Sequence, residues 1–142
     1  NINKKTKNMK KIIFLFLFIN FASFSQSANS KVSYTSPSIT MIILENGKII
    51  NEIPYGKDVT IIYDTFFKSY EITFYDKENN LSAIKLNYLS DKSDGTTKTY
   101  DTFNKNYVVT NKLDKNGVLY WLAEKKYENI YVAFVATDAK KL

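Results

Sequence analysis

From Ile39 onward, apolar and polar residues alternate in short runs, with turn-forming residues between them at intervals of roughly 8–12 positions. In Tyr70–Tyr75, Tyr70, Ile72 and Phe74 fall on one face and Glu71, Thr73 and Tyr75 on the other, the two-residue period of a half-buried strand. Leu81–Leu89 repeats the pattern, with Ile84, Leu86 and Tyr88 opposite Lys85 and Asn87. Ile39–Leu44 and Lys48–Ile53 flank Glu45-Asn46-Gly47. Asn-Gly is the strongest short hairpin cue, because both residues accept the positive φ that a tight two-residue turn requires. Pro54-Tyr55-Gly56 predicts a further turn into Asp58–Tyr63. Val118–Glu124 and Ile130–Thr137 differ, being apolar on both faces as central or covered strands are. No segment carries a sustained helical period with caps, and single helical turns fit Phe66–Ser69 and Ala123–Glu128.

One stretch occurs twice. Tyr63-Asp64-Thr65-Phe66-Phe67-Lys68-Ser69-Tyr70 returns thirty-seven residues later as Tyr100-Asp101-Thr102-Phe103-Asn104-Lys105-Asn106-Tyr107, and the shared pattern runs on to Thr73 and Thr110. An acidic turn follows each copy, at Asp76–Asn80 and Asp114–Gly117, and then another apolar run. About eight short strands joined by short turns predict an all-β fold. The expected form is an antiparallel meander closed into a small barrel or partly open barrel, with a β-sandwich as the alternative. The duplication suggests two similar three-stranded units. In each copy Asp and Thr are expected to set a corner by bonding nearby backbone amides, with Phe66 and Phe103 anchoring it in the core.

Upstream, Met9-Lys10-Lys11 precedes an apolar centre at Ile12–Ile19, and small residues lead to a cleavage point between Ser25 and Gln26. This is the layout of a secretory signal peptide. A membrane-spanning helix needs about 20 apolar residues, and Asn20, Ser23, Ser25 and Gln26 break the run. The expected organisation is a basic leader with a cleavable signal peptide over 1–25, a polar tether over 26–38, one all-β domain over 39–137 and a polar tail over 138–142. The signal peptide, Met9–Ser25, implies a periplasmic or extracellular protein with no stable membrane anchor after leader cleavage.

Composition narrows the chemistry. The chain has no Cys and no His, and all twenty basic residues are Lys. It therefore has no disulfide, no thiolate nucleophile and no cysteine- or histidine-ligated metal, and it lacks the commonest general base near neutral pH. Without Arg it cannot grip carboxylate or phosphate through a planar bidentate fork. Five lysines lie within the first eleven residues; from Gln26 onward fifteen lysines meet fourteen acidic residues. The nearly neutral body has no basic footprint, so no nucleic-acid partner is expected.

Three features are candidates for function. Asp64 and Asp101, with Glu71 nearby in sequence, are the weak catalytic candidates, since two carboxylates at the right separation hydrolyse glycosides. Tyr75, Tyr88, Tyr120, Trp121 and Tyr131 are the weak ligand-binding candidates, since aromatic faces suit sugar rings, peptides or small apolar ligands. The acidic turns lack the central Gly and terminal Glu of an EF-hand loop, so no metal is expected. No cofactor motif is present. The chain is thus expected to be a small exported non-catalytic module that binds a small ligand or a protein partner. A carboxylate-based hydrolase using Asp64 and Asp101 is one alternative, and a structural or inhibitory interaction protein the other. Mass spectrometry of the exported protein is expected to give an N-terminus at or beside Gln26; a chain that retains Met9 removes the premise of export.

Overall fold

The computed structural model describes residues 30–142, so the signal peptide expected at Met9–Ser25 lies outside the described residues. Nine strands make up most of it: β1 (Lys31–Glu45), β2 (Lys48–Asp64), β3 (Ser69–Tyr75), β4 (Leu81–Asp91), β5 (Thr97–Tyr100), β6 (Asn106–Lys112), β7 (Val118–Ala123), β8 (Ile130–Thr137) and β9 (Lys140–Lys141). A single helical turn, α1 (Leu113–Asn116), joins β6 to β7. Strands β1 to β8 pair antiparallel in chain order, and β8 pairs back on β1 with Ile39 opposite Ala136 and Met41 opposite Phe134. The result is a closed eight-stranded antiparallel barrel with β9 as an extra strand on the start of β1. Closure leaves the eight strands no free edge to recruit another chain.

In such a meander successive turns fall at alternate ends. The β1–β2, β3–β4, β5–β6 and β7–β8 turns form one end, called upper here, and the β2–β3, β4–β5 and β6–β7 turns form the lower end. The predicted Asn-Gly hairpin joins β1 to β2, with Asn46 at φ 50° and Gly47 at φ 78°. The turn expected at Pro54-Tyr55-Gly56 does not form; β2 runs on through it for 17 residues. Pro54 is exposed, and the strand absorbs the kink in a bulge, where the register with β3 slips between Lys57 and Thr60 and Asp58 adopts φ 51°.

The strand pattern also reaches beyond the expected domain limits of 39–137. β1 starts at Lys31, inside the expected tether, and buries Tyr34 and Ser36. The Ser36 hydroxyl donates to the Thr137 carbonyl at 2.6 Å, so a polar residue is buried with its bonding satisfied. Part of the expected polar tail becomes β9 against Tyr34 and Thr35, and the Leu142 amide donates to the Ser33 carbonyl at 2.9 Å. The helical turn falls at α1 rather than at Phe66–Ser69 or Ala123–Glu128. There the Asn111 side-chain oxygen accepts from the Leu113 amide at 3.0 Å, and Leu113 turns into the core.

The lower half of the barrel is packed solid. Ile39, Ile61, Ile72, Leu86, Val109 and Leu119 are fully buried, each contributing about 1.5–3 kcal/mol through removal from water. Below them Leu113, Tyr34 and Tyr70 plug the end. The Tyr34 hydroxyl donates to Asp114 Oδ1 at 2.5 Å, the Asn111 amide donates to the Tyr70 oxygen at 3.0 Å, and the Tyr63 and Tyr70 rings stack at 4.7 Å. The doubly apolar β7 lies between β6 and β8, as every strand of the closed barrel lies between two neighbours. Its outward Leu122 stands in a row with Ala133, Ile42 and Val108 on the neighbouring strands. Among the described residues no helix is long and apolar enough to cross a membrane.

Gly56 allows β2 to lie against the upper core. A Cβ at this position would stand 2.4 Å from Phe74 Cδ2 and 3.2 Å from Phe74 Cβ, and Phe74 is buried. Gly56→Ala is therefore expected to lower stability by about 1–3 kcal/mol, the usual cost of overpacking, read as a lower urea midpoint with an unchanged m-value.

Candidate functional site: an aromatic cup at the upper end

Both copies of the Tyr-Asp-Thr-Phe motif are strand–turn–strand corners held by their aspartate, but the bonds and register differ, with Tyr63 opposite Tyr70 in the first and Tyr100 opposite Asn106 in the second. Between β2 and β3, Asp64 Oδ1 accepts from the Phe66 and Phe67 amides, each at 3.0 Å. Between β5 and β6, Asp101 Oδ1 accepts from the Phe103 and Lys105 amides, each at 2.9 Å. A residue at positive φ completes each reversal, Lys68 at 52° and Asn104 at 59°. The anchoring role expected of the phenylalanines is corrected, because Phe66 is 76% exposed and Phe103 83% exposed. Both follow the carboxylate that reverses the chain, and so stand beyond the last layer of the core.

The two corners lie at opposite ends of the barrel. They are three strands apart, and an odd number of antiparallel strands inverts the second copy relative to the first. Asp64 therefore sits at the lower end and Asp101 at the upper, three strands apart around the wall, about 14 Å at the usual spacing of neighbouring strands. Carboxylate pairs that hydrolyse glycosides stand about 5–10 Å apart, so this pair does not form one. Glu71 joins neither, being exposed on the outer face of β3 opposite Lys85.

Above the packed lower core the barrel opens into a cup of about 680 Å³. Phe74, Tyr55, Phe134 and Trp121 line it as a chain of rings, with successive centroids 5.5, 4.9 and 5.6 Å apart. Met41 and Ile84 add aliphatic surface, and Tyr107 and Asp101 bring polar groups to the wall. A second recess of about 730 Å³ adjoins this end and shares Lys105, Tyr107 and Phe134 with the cup. The volume falls in the range of small-molecule sites, and an eight-stranded bore is wide enough to be filled by its own side chains or to hold one small ligand.

Asp101 is the buried charge of this site, at 9% exposure. While Oδ1 holds the corner, Oδ2 accepts from the Tyr107 hydroxyl at 3.3 Å. The Tyr107 phenol is pushed up to about 12, first by burial and then by the charge of Asp101 and the bond to it. It thus stays a neutral donor throughout the physiological range. Lys77 and Lys105 stand on the rim beside Asp76 and Glu78. Among the described residues no group of His, Cys, Asp or Glu has the arrangement of a metal site.

Of the aromatic residues singled out in the sequence, Trp121 lines the cup and the others do not. Tyr75 points outward from β3 and is exposed. Tyr88 is exposed at the bulged end of β4, where Lys68 lies over its ring at 5.3 Å. Tyr120 and Tyr131 alternate with the inward Trp121 and Phe134 and so face out, with Lys126 over the Tyr131 ring at 5.6 Å. Tyr55, Phe74, Tyr107 and Phe134 also line the cup, and the sequence pattern does not mark them as a site. Phe74 and Tyr107 were available, since each lies on the same strand face as a buried aliphatic neighbour, Ile72 and Val109.

The fold and site thus define a closed antiparallel barrel with an aromatic cup at one end. Comparison of the chain with protein-family models, with curated proteins and with solved structures finds no match.

Burial also raises the Tyr34 phenol to about 12, aided by Asp114, and raises that of Tyr70 further. A raised phenol favours the folded state only while it remains protonated. The contribution is therefore complete below pH about 10, where unfolded tyrosine titrates, and is lost as pH rises through the folded values. Urea midpoints are expected to hold steady from pH 8 to 10 and fall steeply towards pH 12, and Tyr34→Phe is expected to shallow that fall.

Proposed function

We propose that this protein is a small exported binding module, without catalysis, that carries one small apolar ligand in the cup of its barrel. The observation that supports it is the uneven filling of the interior. Ile39, Ile61, Ile72, Leu86 and Leu119 have no exposure lower down, whereas the upper end keeps a recess of about 680 Å³ bordered by the half-buried Tyr55 and Phe134, which pack against the buried Phe74 and Trp121. A barrel selected for stability alone gains from filling such space, since each buried methylene adds roughly 0.8 kcal/mol. Aromatic walls with a few polar groups suit a ring-bearing or branched apolar ligand. The absence of His, Cys and Arg and the separation of Asp64 from Asp101 support a non-catalytic role. Export rests on the Met9–Ser25 leader pattern.

The test uses N-phenyl-1-naphthylamine, a neutral apolar fluorophore. Its emission is expected to rise saturably with one site per chain. Ile84→Trp, which fills the mouth, is expected to weaken binding at least about tenfold, a loss near 1.4 kcal/mol. Unsaturable binding, or binding unaffected by Ile84→Trp, places the probe elsewhere and rejects the reading.

A further inference from the structure

We infer that the cup is selective for an organic cation, an amine or quaternary ammonium bearing an apolar group. Asp101 is the counter-ion and the aromatic walls form the cage; the inference rests on the reading of the cup as a ligand site. Asp101 is 9% exposed and lines the cavity. Its Oδ1 is committed to two backbone amides, but its Oδ2 has the Tyr107 hydroxyl at 3.3 Å, longer than the usual 2.5–3.0 Å of such a bond. The ion pairs among the described residues are Lys68 with Asp91 and Lys98 with Glu124, neither of which involves Asp101. A buried carboxylate without a counter-charge is costly to maintain, and a cation seated in the cup supplies that charge.

The walls favour the same sign. The faces of Trp, Tyr and Phe are the negative ends of their quadrupoles and attract ammonium groups, quaternary ones included. In the cup the half-buried Tyr55 and Phe134 bring accessible ring surface to the side of the carboxylate, while Phe74 and Trp121 are buried and pack against them. The ionisable residues lining the cup are Asp76, Glu78 and Asp101 against Lys77 and Lys105, one more acidic than basic. Lysine stems are flexible and carry their charge out to solvent, whereas Asp101 is fixed in the wall by its corner. An anionic ligand of the same shape meets the fixed charge at close range.

The purified protein is titrated calorimetrically with three probes of one shape: phenylpropyl-trimethylammonium, its neutral tert-butyl isostere, and an arylalkyl carboxylate of similar length. The cation is expected to bind tightest. Asp101→Asn keeps the side-chain oxygen that accepts the Phe103 and Lys105 amides, so the corner is retained while the charge is lost. It is expected to weaken the cation at least about tenfold and leave the neutral isostere within about twofold. Should that variant fold poorly, Lys77→Gln with Lys105→Gln alters the rim alone and is expected to tighten the cation and weaken the carboxylate. A neutral isostere or carboxylate that binds as tightly as the cation overturns the cation assignment and leaves the cup as a ligand site. If none of the three binds and N-phenyl-1-naphthylamine also fails, the ligand-site reading falls and this inference with it.

Discussion

Closure of the sheet through β8 and β1 is the constraint on which everything else rests. The register that sets Ile39 opposite Ala136 and Met41 opposite Phe134 turns a meander with two faces into a wall with an inside and an outside. After closure, every second residue points into a bore whose width is set by the number of strands. Aliphatic residues fill the middle of the bore, and Tyr34, Tyr63, Tyr70 and Leu113 close it below. Towards the upper end aromatic residues take the inward positions, and Tyr55 on β2 meets Phe134 on β8 over the intervening β1 at 4.9 Å.

The same closure gives the repeated motif two different surroundings. At both corners an aspartate holds the reversal through two backbone amides, a local device that works wherever the chain must turn. The surroundings differ because three strands separate the copies, which places one at each end. Tyr70, after the lower corner, is sealed under Leu113 and stacked on Tyr63. Tyr107, its counterpart after the upper corner, reaches a carboxylate in the wall of a cavity. A structural motif thus becomes part of a candidate site through its position in the topology, while the Tyr, Asp, Thr, Phe and Lys common to both copies stay the same.

Much of the fold was legible because strand alternation and turn chemistry are local. Tyr70, Ile72 and Phe74 marked an inward face, Asn46-Gly47 marked a hairpin, and Asp64 and Asp101 marked corners. Legibility failed where local signals were ambiguous. Pro54-Tyr55-Gly56 reads as a turn, yet a bulge a few residues later lets the strand continue. The serines around Tyr34 read as a tether, because the Thr137 carbonyl that satisfies Ser36 lies 101 residues away. The candidate site suffered most from this. Tyr120 and Trp121 are adjacent on a strand apolar on both faces, so alternation separates them without saying which one is inside.

The sequence by itself determined that the protein is an antiparallel all-β meander, which residues share a strand face, and where aspartate must turn the chain. These depend on φ preferences, on side-chain bonds spanning a few residues and on the two-residue period. Only the tertiary structure decided which face became the interior, that Asp64 and Asp101 stand at opposite ends, and that four rings from β2, β3, β7 and β8 pack together beside an open recess. Those outcomes depend on strand count and on the register of closure, which are set by packing between residues far apart in the chain.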